Sequence, residues 1–428
     1  MDGKGAGLVS ALPVSSPGHL ALNAPRLRLG ARRLSFEIVH SFDALDHLRS
    51  QWDELVAQVG SRIYLTYDWC KVWWEHYGRG RDARVFLFRE AEHLVGVVPM
   101  FIDDVRLGPA KLRLGKIMGS DFTQAICDLP VCTPWAEAVI DEIMEQLIAN
   151  DGCDAIVFGP MLQASGRINA VRAAARDRKD LVSIYRDRVV TQQTTIVLPG
   201  SADGYLSSLS KNQRFNLRKG WRRLTDDFDV EVAVVTEPGE AAEEFGDFVQ
   251  MHTQQWQTHG MRGHFGDWPG SEAFHRSLVS AMSQAGRLRL LRLRANDRVV
   301  ARQYSLVFGN TCYCRLAARA VQRDWDPYGL GRLSLMKLFE RLIPEGVRRV
   351  DVGTGTYEYK LRLGGEEHNV RSILIVAKRS GARRRARVFC ALADAIDRFY
   401  YRLWYCRIAP RVPFRQRPLW ATWIRSRI

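Results

Sequence analysis

The sequence predicts an α/β protein built from two similar halves, each with mixed, mainly antiparallel strands flanked by helices. Two repeated segments and the chain length lead to this prediction. At 428 residues the chain is too long for one ordinary core, and its 46% hydrophobic and 25% charged content is typical of a globular protein. The predicted elements follow one another in the same order twice, which indicates an internal duplication.

The first repeated segment is a β-hairpin. Residues 84–89 and 94–102 are apolar runs joined by a short polar link, and residues 289–294 and 299–307 repeat this pattern. Apolar runs rich in β-branched residues, separated by a short polar turn, are typical of antiparallel hairpins. The sequence therefore predicts one hairpin in each half.

The second repeated segment is a helix that leads into a strand. The helical pattern at 141–149 continues through Gly152 into an apolar run, and the pattern at 333–343 continues through Gly346 in the same way. A glycine after a helix supplies the left-handed residue that ends it. Each predicted strand then ends on a further glycine.

These patterns divide the chain. Helical patterns also precede each hairpin, at residues 42–59, 67–77, 211–225 and 240–257. We expect a flexible N-terminal extension at 1–33, a first half at 34–198, a second half at 199–380, and a basic aromatic tail at 381–428.

The net charge of +15 is concentrated in the tail. Residues 381–428 contain twelve arginines and two aspartates, which leaves +5 for the rest of the chain. The body is therefore not expected to bind nucleic acid. Aromatic residues mixed with arginines on short helices suit the surface of an anionic membrane. A tail that packs on the body is an equal alternative.

Composition also limits the chemistry and the compartment. The eight cysteines form no C-x-x-C pair, which favours free buried thiols in a reducing compartment over a zinc site or a disulfide framework. No apolar run is long enough for a spanning helix, and the first residues are a poor signal peptide. We expect a cytoplasmic protein without a metal, peripherally associated with the inner membrane face if the tail binds lipid.

The halves differ at the start of the repeated helix. In the second half, Gly329 and Gly331 allow a ligand to approach the backbone, and Arg332 adds a positive charge at the helix N-terminus. The first half has no glycine there and carries Glu137 instead. A tight loop before a helix is the other use of such glycines. The predicted pyrophosphate site is formed by Tyr328, Gly329, Leu330, Gly331 and Arg332.

A set of short motifs carries a family resemblance. They lie at residues 52–55, 67–69, 217–219, 252, 256, 328–331, 351–355 and 359–360. The order of hairpin, strand, glycine-rich turn, helix and strand resembles the GNAT superfamily, whose phosphate loop has the form R/Q-x-x-G-x-G/A. Here Arg323 or Asp326 stands where that family has a basic or amide residue. The motifs resemble more closely the CelD-like or BioF2-like acetyltransferases, from about residue 36 to 380, which are similar to the tandem-GNAT Fem peptidyltransferases.

The resemblance implies an activity. It implies an N-acyltransferase that moves an acyl group from acyl-CoA, with acetyl-CoA as the expected cosubstrate, to a small-molecule amine in exopolysaccharide or cell-envelope biosynthesis. In this family, backbone N–H groups of the strand at 311–316 would polarise the carbonyl. Two alternatives stay open: a Fem-like aminoacyl or peptidyl transferase that uses charged tRNA, and a non-catalytic scaffold of a polysaccharide assembly.

Three residues are predicted to be catalytic. Asp351 ends a strand beside glycines, where α/β sheets place ligands, although it could equally bond the backbone of that turn. His252 could act as a base near neutral pH, although a helix histidine is more often structural. Tyr304 could reprotonate the thiolate, although a strand tyrosine usually packs in the core.

Three further residues are predicted to bind substrate, namely Lys360, Trp256 and Gly353. For Lys360 the alternative is a solvated lysine. The basic helix beginning at residue 211 is predicted to bury Phe215, Leu217 and Trp221 as part of one stripe and to expose its arginines. Those arginines are either a solvated face or a surface for an acidic acceptor.

Overall fold

A computed structural model describes residues 27–29, 32–123, 125–408, 411 and 419–428 of the chain. Thirteen strands run through this part of the molecule. In chain order they are β1 (Leu27–Leu29), β2 (Arg32–Val39), β3 (Asp82–Glu90), β4 (His93–Leu107), β5 (Ala110–Ile117), β6 (Ala155–Leu162), β7 (Val182–Val197), β8 (Val230–Val235), β9 (Leu288–Ala295), β10 (Arg298–Phe308), β11 (Thr311–Arg319), β12 (Arg349–Thr354) and β13 (Gly365–Ala377).

Thirteen α-helices accompany these strands in the described residues. They are α1 (Arg49–Gln58), α2 (Tyr67–Tyr77), α3 (Ala136–Met144), α4 (Gly166–Asp177), α5 (Ala202–Ser208), α6 (Lys211–Asp227), α7 (Pro238–Gln257), α8 (Gly263–Asp267), α9 (Ser271–Gln284), α10 (Leu330–Leu342), α11 (Glu358–Arg362), α12 (Ser380–Ala395) and α13 (Trp420–Ser426). Two π-helical segments, Glu145–Asn150 and Ile396–Ile408, extend α3 and α12.

All thirteen strands belong to one continuous sheet. Its order is β1-β2-β3-β4-β5-β6-β13-β7-β12-β11-β10-β9-β8. Only the β5/β6 and β11/β12 neighbours are parallel, and every other described pair is antiparallel. The predicted class, α/β with mixed and mainly antiparallel strands flanked by helices, is confirmed, and the strands of the two halves join into one sheet.

The halves exchange their last strands. β7, which lies within the predicted first half, pairs with both β12 and β13. β13, which lies within the predicted second half, pairs in turn with β6. The long antiparallel β7/β13 ladder runs from Val182 opposite Ala377 to Ile196 opposite Gly365. Each half therefore completes the sheet of the other.

Backbone geometry supports the duplication. Ala91 and Asn296 occupy matching positions in the two hairpin turns, and their φ angles are 51° and 50°. Gly152 and Gly346 follow the two repeated helices with φ angles of 69° and 86°, as a left-handed helix end requires. Two pairs of left-handed residues at matched positions are expected if the two halves are copies of one ancestral unit.

The largest hydrophobic cluster spans both halves. It contains Trp52 and Trp69 from the first half together with Phe245 and Phe274 from the second. An ion pair, Arg287 Nη2 to Asp53 Oδ2 at 2.7 Å, also joins the halves. Shared apolar burial of this kind fixes the two halves relative to each other. The surfaces that face each other between the halves are therefore held in a defined arrangement.

Three predictions of local structure differ from the observed fold. The extension predicted at 1–33 includes β1 and the start of β2, which pair with each other, and its other residues lie outside the described part. The helix predicted at 42–59 is shorter, because two 3-10 turns precede α1. Phe215 is 60% exposed, since the buried stripe of α6 instead runs through Leu217, Gly220 and Leu224. No helix in the described residues is long and apolar enough to cross a membrane.

Candidate functional site

A gap opens where β11 separates from β12. The two strands pair in parallel from Thr311 opposite Arg349 to Tyr313 opposite Asp351, and then part. On the other side of β11 the register shifts: Tyr304 faces Leu316 and Ser305 faces Cys314, so Arg315 is an extra, bulged residue. A bulge bends its strand and redirects a side chain, which explains why the two strands diverge here.

A small cavity, open to solvent, lies at this gap. Both halves contribute to its walls. The lining residues are Tyr64, Phe122, Thr123, Ile126, His264, Trp268, Ser271, His275, Cys314, Arg315, Leu316, Asp351, Gly353 and Thr354. We call this cavity the interdomain pocket. Of the predicted site residues it contains Asp351 and Gly353.

A chain of three aromatic rings leads from α7 to the interdomain pocket. Trp256 Nε1 donates to His252 Nε2 at 3.0 Å, and His264 Nδ1 lies 3.3 Å from the same Nε2. Because His252 Nε2 accepts the indole proton, we assign the proton of the second contact to His264 Nδ1. His264 Nε2 is then the unprotonated nitrogen of a neutral ring on the pocket wall.

Burial keeps both histidines neutral. Burial, with a smaller contribution from His264, lowers the pKa of His252 to about 3. Burial, with a smaller contribution from the charge of Arg315, lowers the pKa of His264 to about 4. The predicted base His252 therefore lies behind the pocket, one hydrogen bond away from a histidine that lines it.

The turn between α7 and α8 brings His264 back onto His252. Gly263 has a φ of 74°, and a Cβ placed there would lie 3.0 Å from Trp256 Cδ1 and 3.2 Å from His252 Cε1. Both the backbone conformation and the close approach require glycine. The ring chain thus depends on Gly263 as well as on its own members.

A second histidine of the pocket contacts Tyr304. His275 Nδ1 lies 3.3 Å from the Tyr304 hydroxyl. Burial lowers the pKa of His275 well below its usual value and raises that of Tyr304. Tyr304 is fully buried and does not line the pocket, so its contact with the site runs through His275.

Asp351 is engaged by protein partners. Arg62 Nη1 from the first half donates to Asp351 Oδ2 at 2.7 Å, and the amide of Gly353 donates to Oδ1 at 2.8 Å. Arg62 also reaches Gln193 of β7 at 3.0 Å. These contacts correspond to the backbone-bonding alternative for Asp351 and add an ion pair between the halves.

Lys360 is buried, in contrast to both the predicted substrate contact and the solvated alternative. Its Nζ donates to the carbonyl oxygens of Gly353, Thr354 and Gly355 at 3.0, 2.9 and 3.1 Å. An ammonium group has three protons, and all three are used here. Lys360 therefore holds the glycine-rich turn that shapes one rim of the pocket.

The glycine-rich loop before α10 combines a left-handed glycine with open space beside its backbone. Gly329 is left-handed, with a φ of 68°, and a Cβ there would meet Arg332 Nη2 at 3.1 Å. A Cβ on Gly331 would meet nothing closer than Arg319 Cδ at 3.9 Å, so open space adjoins this backbone. Tyr328 and Leu330 are buried and anchor the loop.

Helix α6 supports this loop. A Cβ on Gly220 would lie 2.9 Å from the Tyr328 carbonyl oxygen, so the helix packs directly against the loop backbone. The Tyr328 hydroxyl donates to Asp227 Oδ2 at 2.6 Å. Tyr328 thus positions the predicted pyrophosphate site from behind rather than offering its hydroxyl to a ligand.

The corresponding gap in the first half is bridged by protein. Where β5 leaves β6, the amide of Cys127 donates to the Pro160 carbonyl of β6 at 2.7 Å, and the amide of Val97 in β4 donates to the Pro130 carbonyl at 2.9 Å. The loop after β5 therefore takes the place that stays open between β11 and β12. The prediction that only the second half holds a cofactor stays a prediction.

The tail packs on the body. Tyr405 donates to Asp267 Oδ2 at 2.6 Å, and Trp420 lies against Trp268, with ring centroids 6.0 Å apart. Arg186 Nη2 and Asp394 Oδ2 pair at 2.7 Å. Since Trp268 lines the interdomain pocket, α13 supports one of the pocket walls. Residues 409–410 and 412–418 of the tail lie outside the described residues.

Sequence reasoning missed His264, His275, Arg315 and Tyr64. The signal for His264 was present: it follows Gly260 and Gly263, two glycines able to reverse the chain after a helix that carries His252. The other three are brought together by packing between the halves. No cluster of metal-ligating side chains occurs in the described residues.

Acidification is expected to destabilise the protein through the ring chain. The folded-state pKa values of His252 and His264, about 3 and 4, lie below the unfolded value of 6.5. As pH falls through 6.5 the unfolded state takes up protons first, so the contribution to stability is complete above that pH and is lost progressively below it. When the pH is lowered from 7 to 5, each of the two histidines should lower the free energy of unfolding by about 2 kcal/mol. Urea unfolding checks this, and an equally steep pH dependence in His252→Gln would contradict it.

Comparisons with known proteins fit this geometry. Residues 211–361 match the family model described as an acetyltransferase (GNAT) domain, which is about a third of the chain. That span contains the predicted pyrophosphate loop, the bulge at Arg315 and the turn after Asp351. A search of curated protein sequences found no significant match.

Among solved structures, FemX is similar in fold, with a TM-score of 0.56 and 10% identity over 79% of this chain and 96% of that chain. A conserved protein of unknown function from Bacteroides thetaiotaomicron VPI-5482 gives a TM-score of 0.47 and 12% identity over 80% and 99% of the two chains. A tandem GNAT protein from the clavulanic acid biosynthesis pathway gives 0.40 and 14% identity over 80% and 98%.

Proposed function

We propose that this protein is an acyl-CoA-dependent N-acyltransferase. The second half would hold the cosubstrate in the gap between β11 and β12, and the interdomain pocket would hold the amine acceptor. The observation that carries the proposal is the bulge at Arg315, which opens the sheet between β11 and β12. Open space beside Gly331 and the match to a GNAT domain over 211–361 support it.

The residues around the gap fit an acyl-CoA. At the start of α10 the amides of Leu330 and Gly331 donate to no described backbone group, and they and the positive end of the helix dipole would face a pyrophosphate, with the Arg332 side chain beside them. The Arg319 amide donates to Gln255 Oε1 at 2.9 Å and so points away from β10. By the two-residue period of a strand, the Ala317 amide points the same way and is placed to bond an extended arm of the cosubstrate. A bound acyl-CoA would supply the thioester.

The proposed reaction is the transfer of an acyl group from a thioester to an amine. The acceptor nitrogen attacks the thioester carbonyl, the C–N bond forms, the C–S bond breaks, and the amine proton leaves while the thiolate gains a proton. Backbone amides at the Arg315 bulge would hold the carbonyl oxygen as charge develops on it. His264 Nε2, neutral and aimed by Trp256 and His252 through its other nitrogen, would take the amine proton.

His264 fits the role of base better than the three residues predicted from sequence. Both carboxylate oxygens of Asp351 are already bonded, to Arg62 and to the Gly353 amide. His252 and Tyr304 are buried behind the pocket. In this proposal His252 and Trp256 are positioning residues for His264, and Asp351 joins the halves at the rim of the site.

The acceptor class and pathway rest on the motif resemblance. We propose a small amine of exopolysaccharide or cell-envelope biosynthesis, as the CelD-like or BioF2-like motifs imply. A charged-tRNA donor is the alternative that the Fem relatives suggest. In this chain β7 ends at Val197 and α5 begins at Ala202, so no helical arm separates the halves.

Calorimetry tests the proposed function. Acetyl-CoA titrated into the full chain is expected to bind with micromolar affinity at one site. A protein that binds no acyl-CoA but retains transfer RNA at moderate salt would support the Fem-like alternative. A protein that binds neither would support the scaffold alternative, and both outcomes would overturn the proposal.

The tail also offers a surface for anionic lipid. Phe399 and Leu403 are 61% and 44% exposed, and the arginines 398 and 402 beside them are exposed as well. Apolar side chains among arginines on one helical face suit the boundary of an acidic bilayer. We propose that this face, on the π-helical segment Ile396–Ile408, contacts the inner membrane surface.

Phe399→Ser with Leu403→Ser is expected to lower binding to phosphatidylglycerol-containing vesicles about tenfold, since two exposed apolar anchors are lost. Point variants are preferred to deletion of the tail because Phe389 and Cys390 are core residues. Phe215→Ser, which removes an equally exposed ring from α6, should leave vesicle binding unchanged. Sedimentation with vesicles measures this, and equal loss in both variants, or no binding to acidic vesicles by the parent chain, would contradict the proposal.

A further inference from the structure

Arg315 is a charged side chain in the interdomain pocket without a carboxylate partner among the described residues. Its guanidinium carbon lies 5.2 Å from the ring centroid of Tyr64 and 5.0 Å from that of Trp69. Nη1 donates to the Tyr64 hydroxyl at 3.2 Å. Nε is buried and has no hydrogen-bond partner in the described part of the chain. The aromatic rings therefore hold the guanidinium in place while one edge of it stays unsatisfied.

Other arginines in this region that are buried or partly buried, as Arg315 is, have carboxylate partners. Arg62 meets Asp351 at 2.7 Å, Arg287 meets Asp53 at 2.7 Å, and Arg302 meets Asp247 at 2.8 Å. A positive charge removed from water without a counter-ion is costly, and cation–π contacts recover only part of that cost. Arg315 is thus the position where a ligand could supply the missing negative charge.

The edge of the Arg315 guanidinium that has no described protein partner has a defined geometry. Nη1 donates to Tyr64, and Nε, which is buried, and Nη2 are the two nitrogens that no described hydrogen bond occupies. Two parallel N–H groups on a planar guanidinium match the two oxygens of a carboxylate or of a phosphate. The neighbouring pocket residue Ser271 carries a neutral hydroxyl that can add a donor, whereas the Thr123 hydroxyl already donates to the Gly119 carbonyl at 2.9 Å.

We infer that Arg315 binds an oxyanion carried by the acceptor, so that the acceptor is an amine bearing a carboxylate or a phosphate. This inference rests on the proposed function, because it places the acceptor in the interdomain pocket. It makes Arg315 both the residue whose bulge opens the gap and the residue whose side chain selects the acceptor.

An anion bound to Arg315 would also change the basicity of His264. The positive charge of Arg315 contributes, after burial, to the low pKa of that ring. An anion bound to Arg315 opposes this contribution and raises the pKa of His264, which makes its Nε2 a stronger base only when an anionic acceptor is in place.

Oxyanion binding can be measured without any acyl donor. The full chain with ¹⁵N-labelled arginine is titrated with acetate, with inorganic phosphate and with neutral acetamide, while the Arg315 Nε–H signal is followed by NMR. The signal is assigned by its loss in Arg315→Lys. We expect it to shift and saturate with acetate or with phosphate, and to stay in place with acetamide. The anion that shifts it identifies the group carried by the acceptor.

Variants separate this site from general charge effects. Arg315→Met should abolish binding of the effective anion, whereas Arg349→Met, which removes an exposed arginine from the neighbouring strand, should leave it intact. An Arg315 signal that ignores both anions, or responds equally to acetamide, overturns the inference. Because no acyl-CoA is present, that failure is distinct from a failure of the proposed acyl transfer, which shows as absent acetyl-CoA binding.

Discussion

Gly329→Glu is expected to raise the dissociation constant for acetyl-CoA at least ~100-fold, which corresponds to about 2.7 kcal/mol. Gly329 is left-handed at a φ of 68°, a conformation that costs other residues about 1–2 kcal/mol. The new carboxylate would also stand at the N-terminus of α10, against the charge of a pyrophosphate, and close enough to Arg332 to pair with it. Calorimetry with acetyl-CoA measures the change.

A matched substitution controls for strain and charge. Gly346 lies at the other end of α10, with a φ of 86° and open space around it. Gly346→Glu therefore carries a similar backbone penalty and the same charge away from the loop, and it should change the dissociation constant by no more than about threefold. Equal weakening in both variants would mean that the loop before α10 does not bind the cosubstrate.

His264→Gln is expected to lower kcat on the order of 100- to 10,000-fold while the KM for acyl-CoA stays the same. Glutamine is neutral and close to the ring in size, but it cannot accept the amine proton. The parent kcat/KM should fall as pH drops through about 4, the pKa of His264 in the free protein, and that limb should vanish in the variant. Steady-state kinetics across pH with the thiol product as readout measures both effects.

Two further histidines complete that experiment. His252→Gln should lower kcat less than His264→Gln and shift the acid limb, because His252 acts only by orienting His264. His259 is exposed on the same turn, and His259→Gln should leave kcat and the pH profile unchanged. If His252→Gln lowers kcat more than His264→Gln, the order of the two rings in the proposal is wrong.

Local signals allowed much of the fold to be predicted. The hairpins and the glycines after the repeated helices follow from nearest-neighbour chemistry, and they recur in the structure as matched φ angles at Ala91 and Asn296. The exchange of β7 and β13 could not be predicted. Both strands pair with partners that are distant in the sequence, and which partner each one takes is decided by contacts between distant parts of the chain.

The site could be predicted only in part for the same reason. Gly329, Gly331 and Arg332 could be proposed from the sequence because a loop before a helix is a local feature. Arg315 was not, since its role depends on a bulge and on the rings of Tyr64 and Trp69 from the other half. Lys360 was misjudged because nothing in its neighbours along the chain reveals that three carbonyl groups converge on it.

The most direct test of the account is a crystal structure of the protein grown with acetyl-CoA. We expect density for the cosubstrate between β11 and β12, with its pyrophosphate at the amides of Gly329 to Gly331 and its thioester beside the Arg315 bulge. Density for acetyl-CoA between β5 and β6 of the first half would contradict the account. Acetyl-CoA bound at full occupancy anywhere else outside the β11/β12 gap would contradict it as well.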